Sequence, residues 1–161
     1  MATQRNNLSS YDNISIPEAT DYKIAVVISE WNLQVTKGLL KGVLDTLKSS
    51  GIHSNNVVIQ YVPGSFELIF GAKKLQTSAV DAVIAVGCIV QGETKHFDYV
   101  CQGVTQGIKD LNVLYDTPVI FCVLTDNNLQ QSLDRSGGKH GNKGVEAAVT
   151  ALKMVALNKS L

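Results

Sequence analysis

The chain has 161 residues, 45% of them hydrophobic, and balances 14 Lys and Arg against 14 Asp and Glu. That is enough for one domain with a substantial core and too little for two ordinary ones. Zero net charge with no clustered basic run argues against a nucleic-acid partner, whose phosphates demand concentrated Lys and Arg, and apolar runs no longer than a strand argue against a membrane span.

Residues 1–20 are polar, contain Pro17 and lack the apolar stretch of a signal peptide. They are expected to form a flexible N-terminal arm, with 21–161 as a single α/β domain. The near-continuous apolar run at 22–29 predicts a parallel strand covered on both faces, ending in Glu30-Trp31-Asn32. Val35, Leu39, Leu40, Val43, Leu44 and Leu47 then recur at helical spacing, and Ser49-Ser50-Gly51 stops the helix. A second strand at 56–62 leads through Pro63-Gly64-Ser65-Phe66-Glu67 into a helix that reaches Gln76. The third strand, 81–90, is the most hydrophobic. After it, a glycine-containing turn delivers Thr94, Lys95 and His96 onto the start of a helix striped by Val100, Val104, Ile108 and Leu111. Gly103 and Gly107 beside that stripe predict close approach by another helix, of this or another subunit. A fourth strand at 117–125 precedes a short helix at 127–135, opened by an Asn127…Gln130 pair of capping-box type. A loop at 136–141 follows, then a last helix burying Val145, Ala148, Val149, Leu152, Val155 and Ala156. This alternation predicts a four-stranded parallel sheet with helices on both faces.

Strand ends that open into helix starts are where such sheets place ligands, and the free N–H groups there suit an anion. The strand ends present Glu30-Trp31-Asn32, the 64–67 turn, 88–96 and Phe121 onward. No G-x-G-x-x-G follows the first strand and no G-x-x-x-x-G-K-[ST] occurs, which speaks against dinucleotides and nucleoside triphosphates. Metal-ligand spacing is also lacking, so no metal or cofactor is expected. Cys88, Cys101 and Cys122 are an odd set in apolar segments without CxxC spacing. They read as small buried hydrophobes in a reducing cytoplasm.

Trp31 is either a core plug at the sheet edge or a stacking platform for a flat heterocycle. Phe66 and Phe121 are further walls or plain core. Glu67 opens a helix, as a dipole partner or as a carboxylate taking N–H groups from a uracil-like edge. His96, beside Thr94, Lys95 and a helix start, is the general-base candidate. Arg135 and Lys143 bracket a glycine-rich loop and are either solvated charge or anion ligands for the 92–94 turn, in the same subunit or the next.

Trp31-Asn32, Val62-Pro63-Gly64-Ser65-Phe66-Glu67, Gly92-x-Thr94-x-His96-Phe97-x-Tyr99 and Arg135…His140-Gly141-Asn142-Lys143-Gly144 resemble the lumazine synthase family in order and spacing, over about 23–157. The resemblance implies a flavodoxin-like three-layer sandwich and the penultimate step of riboflavin biosynthesis. There, 5-amino-6-(D-ribitylamino)uracil condenses with 3,4-dihydroxy-2-butanone 4-phosphate, without a cofactor, to give 6,7-dimethyl-8-ribityllumazine. It implies that Trp31, Asn32, Ser65, Phe66, Glu67, Cys88, Ile89, Val90 and a neighbour's Phe121 hold the pyrimidine. Glu93, Thr94, Arg135 and Lys143 hold the butanone phosphate, and His96 transfers protons. Trp31 stands where many members have phenylalanine, Glu93 where a small residue is usual, and Lys95 where an uncharged one is usual. The implied assembly is a homopentamer, with a sixty-subunit icosahedral shell permitted by the short 136–144 connection and riboflavin synthase as an associated partner. The rivals are a non-catalytic flavin-binding or storage module of the same fold and a purely structural shell protein.

Overall fold

The computed structural model describes residues 7, 9–11 and 19–161. The arm expected at 1–20, Pro17 included, lies for the most part outside the described residues. Four apolar runs form the strands β1 (Ile24–Ser29), β2 (Val57–Val62), β3 (Ala82–Val90) and β4 (Val119–Asp126). All pair in parallel, in the order β2-β1-β3-β4. Between and after them run the helices α1 (Leu33–Ser49), α2 (Leu68–Gln76), α3 (His96–Leu114), α4 (Leu129–Arg135) and α5 (Lys143–Ser160). Strand and helix limits differ from the sequence expectation by a residue or two, as usual at frayed ends.

The continuous apolar character of β1 and β3 is explained by cover on both faces. Every residue of β1, and all of β3 but Val90, is buried. Strand alternation divides them between two cores. Ile24, Val26 and Ile28 of β1 and Ile84 and Val86 of β3 join Leu39, Val43 and Leu47 of α1 and Ala148, Ala151 and Leu152 of α5. Ala25 and Val27 of β1 and Val83 and Ala85 of β3 join Leu68 and Ala72 of α2 and Val104, Ile108 and Leu111 of α3. Each fully buried Val, Ile or Leu contributes about 1.5–3 kcal/mol from burial, so the central strands anchor the sheet. This is the three-layer, flavodoxin-like arrangement. No helix among the described residues is long and apolar enough to cross a membrane.

One local expectation, the close approach of another helix at Gly103 and Gly107, is met within the chain, and two are corrected. A Cβ on Gly103 would lie 2.6 Å from the Phe66 ring, and one on Gly107 would lie 2.6 Å from Ile69. The glycines therefore admit α2 and the turn before it, all of the same chain. The cap of α4 is one residue later than expected: the Asn128 side chain accepts from Gln131 N, and Gln131 Oε1 accepts from Asn127 N at 3.0 Å. The 136–141 segment is not plain loop. It forms β5 (Ser136–Gly138) and β6 (Gly141–Asn142), a small antiparallel hairpin. Its final residue, Asn142, accepts from Gly144 N and donates to Gly38 O, both at 2.8 Å, which ties α5 to α1.

Candidate active site

The strand order places the topological switch point between β1 and β3, where ligands of open α/β sheets collect. β3 pairs with β1 only as far as Val86, opposite Ile28, while its pairing with β4 continues to Val90. Beyond Val86, β3 therefore has a strand on one side and none on the other. The turns after β1 and β2 fill part of that gap. Asn32 Nδ2 donates to Cys88 O at 3.1 Å, and Ser65 Oγ donates to the same carbonyl at 3.5 Å. Asn32 adopts a left-handed backbone (φ 57°), the one positive φ outside glycine among the described residues. Such strain persists where the surroundings enforce it, and here it turns the chain directly from Trp31 into α1.

The rest of the gap is a cleft of about 670 Å3. Trp31, Ser65, Phe66, Glu67, Cys88, Ile89, Val90, Thr94 and His96 line it, together with Phe97, Tyr99 and Val100, to which the sequence reading gave no role in the site. Trp31 is 71% exposed, so it is no core plug and its indole face is available for stacking. Phe66 is half exposed, with its ring backed by Gly103. Glu67 is the N-cap residue of α2 and makes no side-chain cap bond. Its carboxylate folds over Gly64 and is left free for a ligand.

At the other end of the cleft, α3 begins at His96 with no side chain capping it. His96 N donates to Thr94 Oγ1 at a long 3.4 Å. The first-turn N–H groups and the positive helix end therefore face the 92–94 turn, an anion site by geometry. A Cβ at Gly92 would meet nothing within 4 Å. Lys95 pairs with Asp98 at 3.5 Å on the surface, so its charge is partly offset locally. Among the described residues, no cluster of metal-ligating side chains occurs. The thiols are shifted away from the reactive thiolate form. Burial pushes Cys88 up, aided by Asp126 and opposed by hydrogen bonds with Ser132 and Asn32. Burial likewise raises Cys101, and pushes Cys122 up to about 12. Cys88 and Cys122 are buried and Cys101 is half-buried, and all three are free.

Phe121, Arg135 and Lys143 do not join the cleft. Phe121 lies within β4, not at its end, and with Arg135 and Lys143 lines a separate cavity of about 710 Å3 along the β4 edge. Of the four strand ends expected to meet at one edge, residues of the first three line the cleft, while Phe121 sits apart from it in the same chain. Charges in this second cavity are tethered internally. Lys143 Nζ bonds Glu146 Oε2 at 2.7 Å. Arg135 Nη1 donates to Gln131 O at 2.8 Å, and its Nε faces Asp126 Oδ1 at 3.9 Å. Asp126 and Ser132 were not singled out in the sequence. The available signal was a carboxylate at the end of an apolar strand, nine residues before the arginine it faces.

A sequence profile of the 6,7-dimethyl-8-ribityllumazine synthase family matches residues 21–159. The chain is 60% identical over 161 residues to the 6,7-dimethyl-8-ribityllumazine synthase of Christiangramia forsetii, covering 99% of this chain and 96% of that one. It is 60% identical over 160 residues to the protein of the same name from Flavobacterium johnsoniae, covering 99% and 84%. Against that from Porphyromonas gingivalis it is 53% identical over 160 residues, covering 99% of each. A profile match over nearly the whole described domain, and relatives of this identity along the full length, establish that the chain belongs to the 6,7-dimethyl-8-ribityllumazine synthase family.

Proposed function

We propose that the active site is shared between copies, the cleft of one chain being closed by the β4-edge cavity of a neighbour. The reaction is the family's condensation of 5-amino-6-(D-ribitylamino)uracil with 3,4-dihydroxy-2-butanone 4-phosphate. Water and inorganic phosphate leave as the lumazine ring forms, which makes the chain a transferase of riboflavin biosynthesis. Trp31, with Phe66 and a neighbour's Phe121 as walls, stacks on the pyrimidine. Asn32, Ser65, Glu67 and the 88–90 strand end bind its polar edge and ribityl chain. Thr94, the N–H of Glu93, and a neighbour's Arg135 with Lys143 take the phosphate, with the Glu93 carboxylate turned away. His96 moves protons between the reacting centres and the leaving groups. Because an amine and a ketone form an imine unaided, holding the two substrates in register supplies much of the acceleration, and acid–base help from His96 adds about 10²-fold or more.

The observation that carries the shared site is the separation of the two cavities within one chain. Arg135 lines one cavity and His96 the other, which favours a site in which the two come from different copies. The uncovered edge strand β2, with Val58 and Tyr61 exposed, and the exposed Phe70 support assembly, since such surface is rarely left open. The assembly proposed is a homopentamer, extended to the icosahedral shell by the short 136–144 connection. The setting is the cytoplasm, with riboflavin synthase as the associated enzyme.

Subunit mixing tests this reading. His96→Ala breaks only the cleft half and Arg135→Ala only the edge half. Refolded together, the two variants regain activity, because in a random ring about a quarter of the junctions join two intact halves. Activity no greater than the sum of the separate variants places the whole site within one chain.

A further inference from the structure

We infer that Asp126, backed by Ser132, is a positioning residue that aims the Arg135 guanidinium at the substrate phosphate. The inference rests on the reading that Arg135 receives that phosphate. Asp126 is the last residue of β4 and only 8% exposed. Its main-chain oxygen accepts from Gln91 N at 2.9 Å, which locks this strand end to the turn leaving β3. Its side chain is held as firmly. Oδ2 accepts from Ser132 Oγ at 2.8 Å, and Ser132 is fully buried. The direction of that bond is set from behind. Burial keeps the Cys88 thiol protonated, and its Sγ donates to Ser132 Oγ at 3.4 Å, so the serine proton is left for the carboxylate.

The opposite oxygen of Asp126, Oδ1, faces Arg135 Nε at 3.9 Å, while Arg135 Nη1 donates to Gln131 O. The guanidinium is thus held at two points, by a hydrogen bond at Nη1 and by a charge contact at Nε. Its remaining N–H groups, on Nη2 and the second position of Nη1, have no partner among the described residues, and Arg135 lines the β4-edge cavity. A planar fork tethered at two of its nitrogens offers its remaining N–H groups, on Nη2 and the second position of Nη1, as a pair that suits a phosphate. Arginine has many rotamers, and freezing them beforehand removes a cost otherwise met on binding.

Core filling alone does not account for a carboxylate here. A buried carboxylate is costly unless a cation or hydrogen bonds compensate it, and among the described residues the one ion-pair partner of Asp126 is Arg135. An amide of the same shape would satisfy Ser132 without a charge. The carboxylate also lies on the side where an anion is to bind, so by charge alone it weakens phosphate binding. Orientation and charge therefore predict opposite signs when the carboxylate is neutralised, and the measurement separates them.

The experiment measures kcat and both KM values for Asp126→Asn and Ser132→Ala, each alone and combined with Arg135→Ala. For Asp126→Asn, KM for the butanone phosphate is expected to rise about three- to tenfold, as the loss of one charge-assisted contact implies. KM for the pyrimidine and kcat are expected to move by less than about twofold, because the transition-state groups of the cleft are untouched. Ser132→Ala keeps the charge but frees the carboxylate, and should raise the same KM by about twofold. On the Arg135→Ala background neither substitution should raise it further. Should Asp126→Asn fail to fold, Ser132→Ala carries the test alone. An unchanged or lowered KM for the butanone phosphate overturns the inference, and so does an equal rise without Arg135. If Arg135→Ala itself leaves that KM unchanged, the phosphate reading falls and the inference falls with it.

Discussion

The cleft at the β1–β3 switch point leaves its chemical groups open to a ligand, whereas the cavity at the β4 edge pairs its charges among themselves. Trp31 is exposed, Glu67 makes no cap bond, and α3 starts uncapped at His96. Across the sheet, Arg135 faces Asp126 and Lys143 bonds Glu146. The cleft is shaped by turns at strand ends, cross-tied at one carbonyl, Cys88 O, that β1 does not reach. The edge cavity is shaped by helix faces over an edge strand. In the proposed site the first arrangement takes the flat, mostly neutral ring and the second brings a cation to the anion. If the condensation uses both, mutations should separate them by which kinetic constant they move.

His96→Ala is expected to have the largest effect, lowering kcat about 10²-fold. Turnover above the uncatalysed rate should remain, since orientation is untouched. A variant that turns over at the parental rate across the pH range would remove His96 from the chemistry. Arg135→Ala comes next. Losing a charged, bidentate contact should raise KM for the butanone phosphate about 30-fold with little change for the pyrimidine. If the pyrimidine KM rises instead, the edge cavity has been given the wrong substrate.

Trp31→Ala should raise KM for the pyrimidine about tenfold, and Trp31→Phe should restore most of it, because stacking needs a ring more than an indole. Riboflavin should quench the Trp31 fluorescence on binding; a titration without quenching would count against the platform. Gly103→Ala perturbs the same side more gently. Its methyl would press on the Phe66 ring from 2.6 Å, so a rise in pyrimidine KM of about threefold and a loss of about 1–2 kcal/mol in stability are expected. An unchanged Tm together with an unchanged KM would mean that Phe66 has room to move and is no fixed wall.

Much of the cleft was legible in the sequence because its determinants are local. A buried parallel strand is a continuous apolar run, and Gly-Ser-Phe-Glu or Gly-x-Thr-x-His marks the turn that follows. Trp31, Ser65, Glu67, Thr94 and His96 all fall where the strand ends place them. What the sequence did not disclose depends on distances that spacing does not encode. The partners of Gly103 and Gly107 are side chains more than thirty positions away, on α2 and the turn before it. The hairpin at 136–142 is too short for alternation to register. Phe121 is grouped with the strand-end residues although the strand expected at 117–125 already centres on it, and its register opposite Ala85 fixes it there. Asp126 looked like loop because a carboxylate at a strand terminus is common, and its burial follows from Ser132 and Arg135, six and nine residues on.

The smallest effect at neutral pH, and the clearest at alkaline pH, belongs to Cys122, which lies behind the β4 edge. Burial pushes its thiol from the ordinary 9.0 to about 12, with Lys143 opposing and Glu146 adding to the shift. A thiol whose folded value is raised favours the folded state fully while both states are protonated, that is, below pH 9.0. As pH rises toward about 12 the unfolded chain ionises and the folded one does not, so that stabilisation is lost progressively. At most ~1.4 kcal/mol disappears per pH unit for one such group. Lysines and tyrosines titrate in the same range, but they do so equally in a Cys122→Ala variant. The variant should therefore start less stable at pH 7, by the usual cost of a small cavity, and the gap between the two proteins should narrow above pH 9.0 in denaturant titrations. A gap that stays constant to pH 11 would mean that solvent reaches Cys122, and that the wall behind the β4-edge cavity opens far more than its burial suggests.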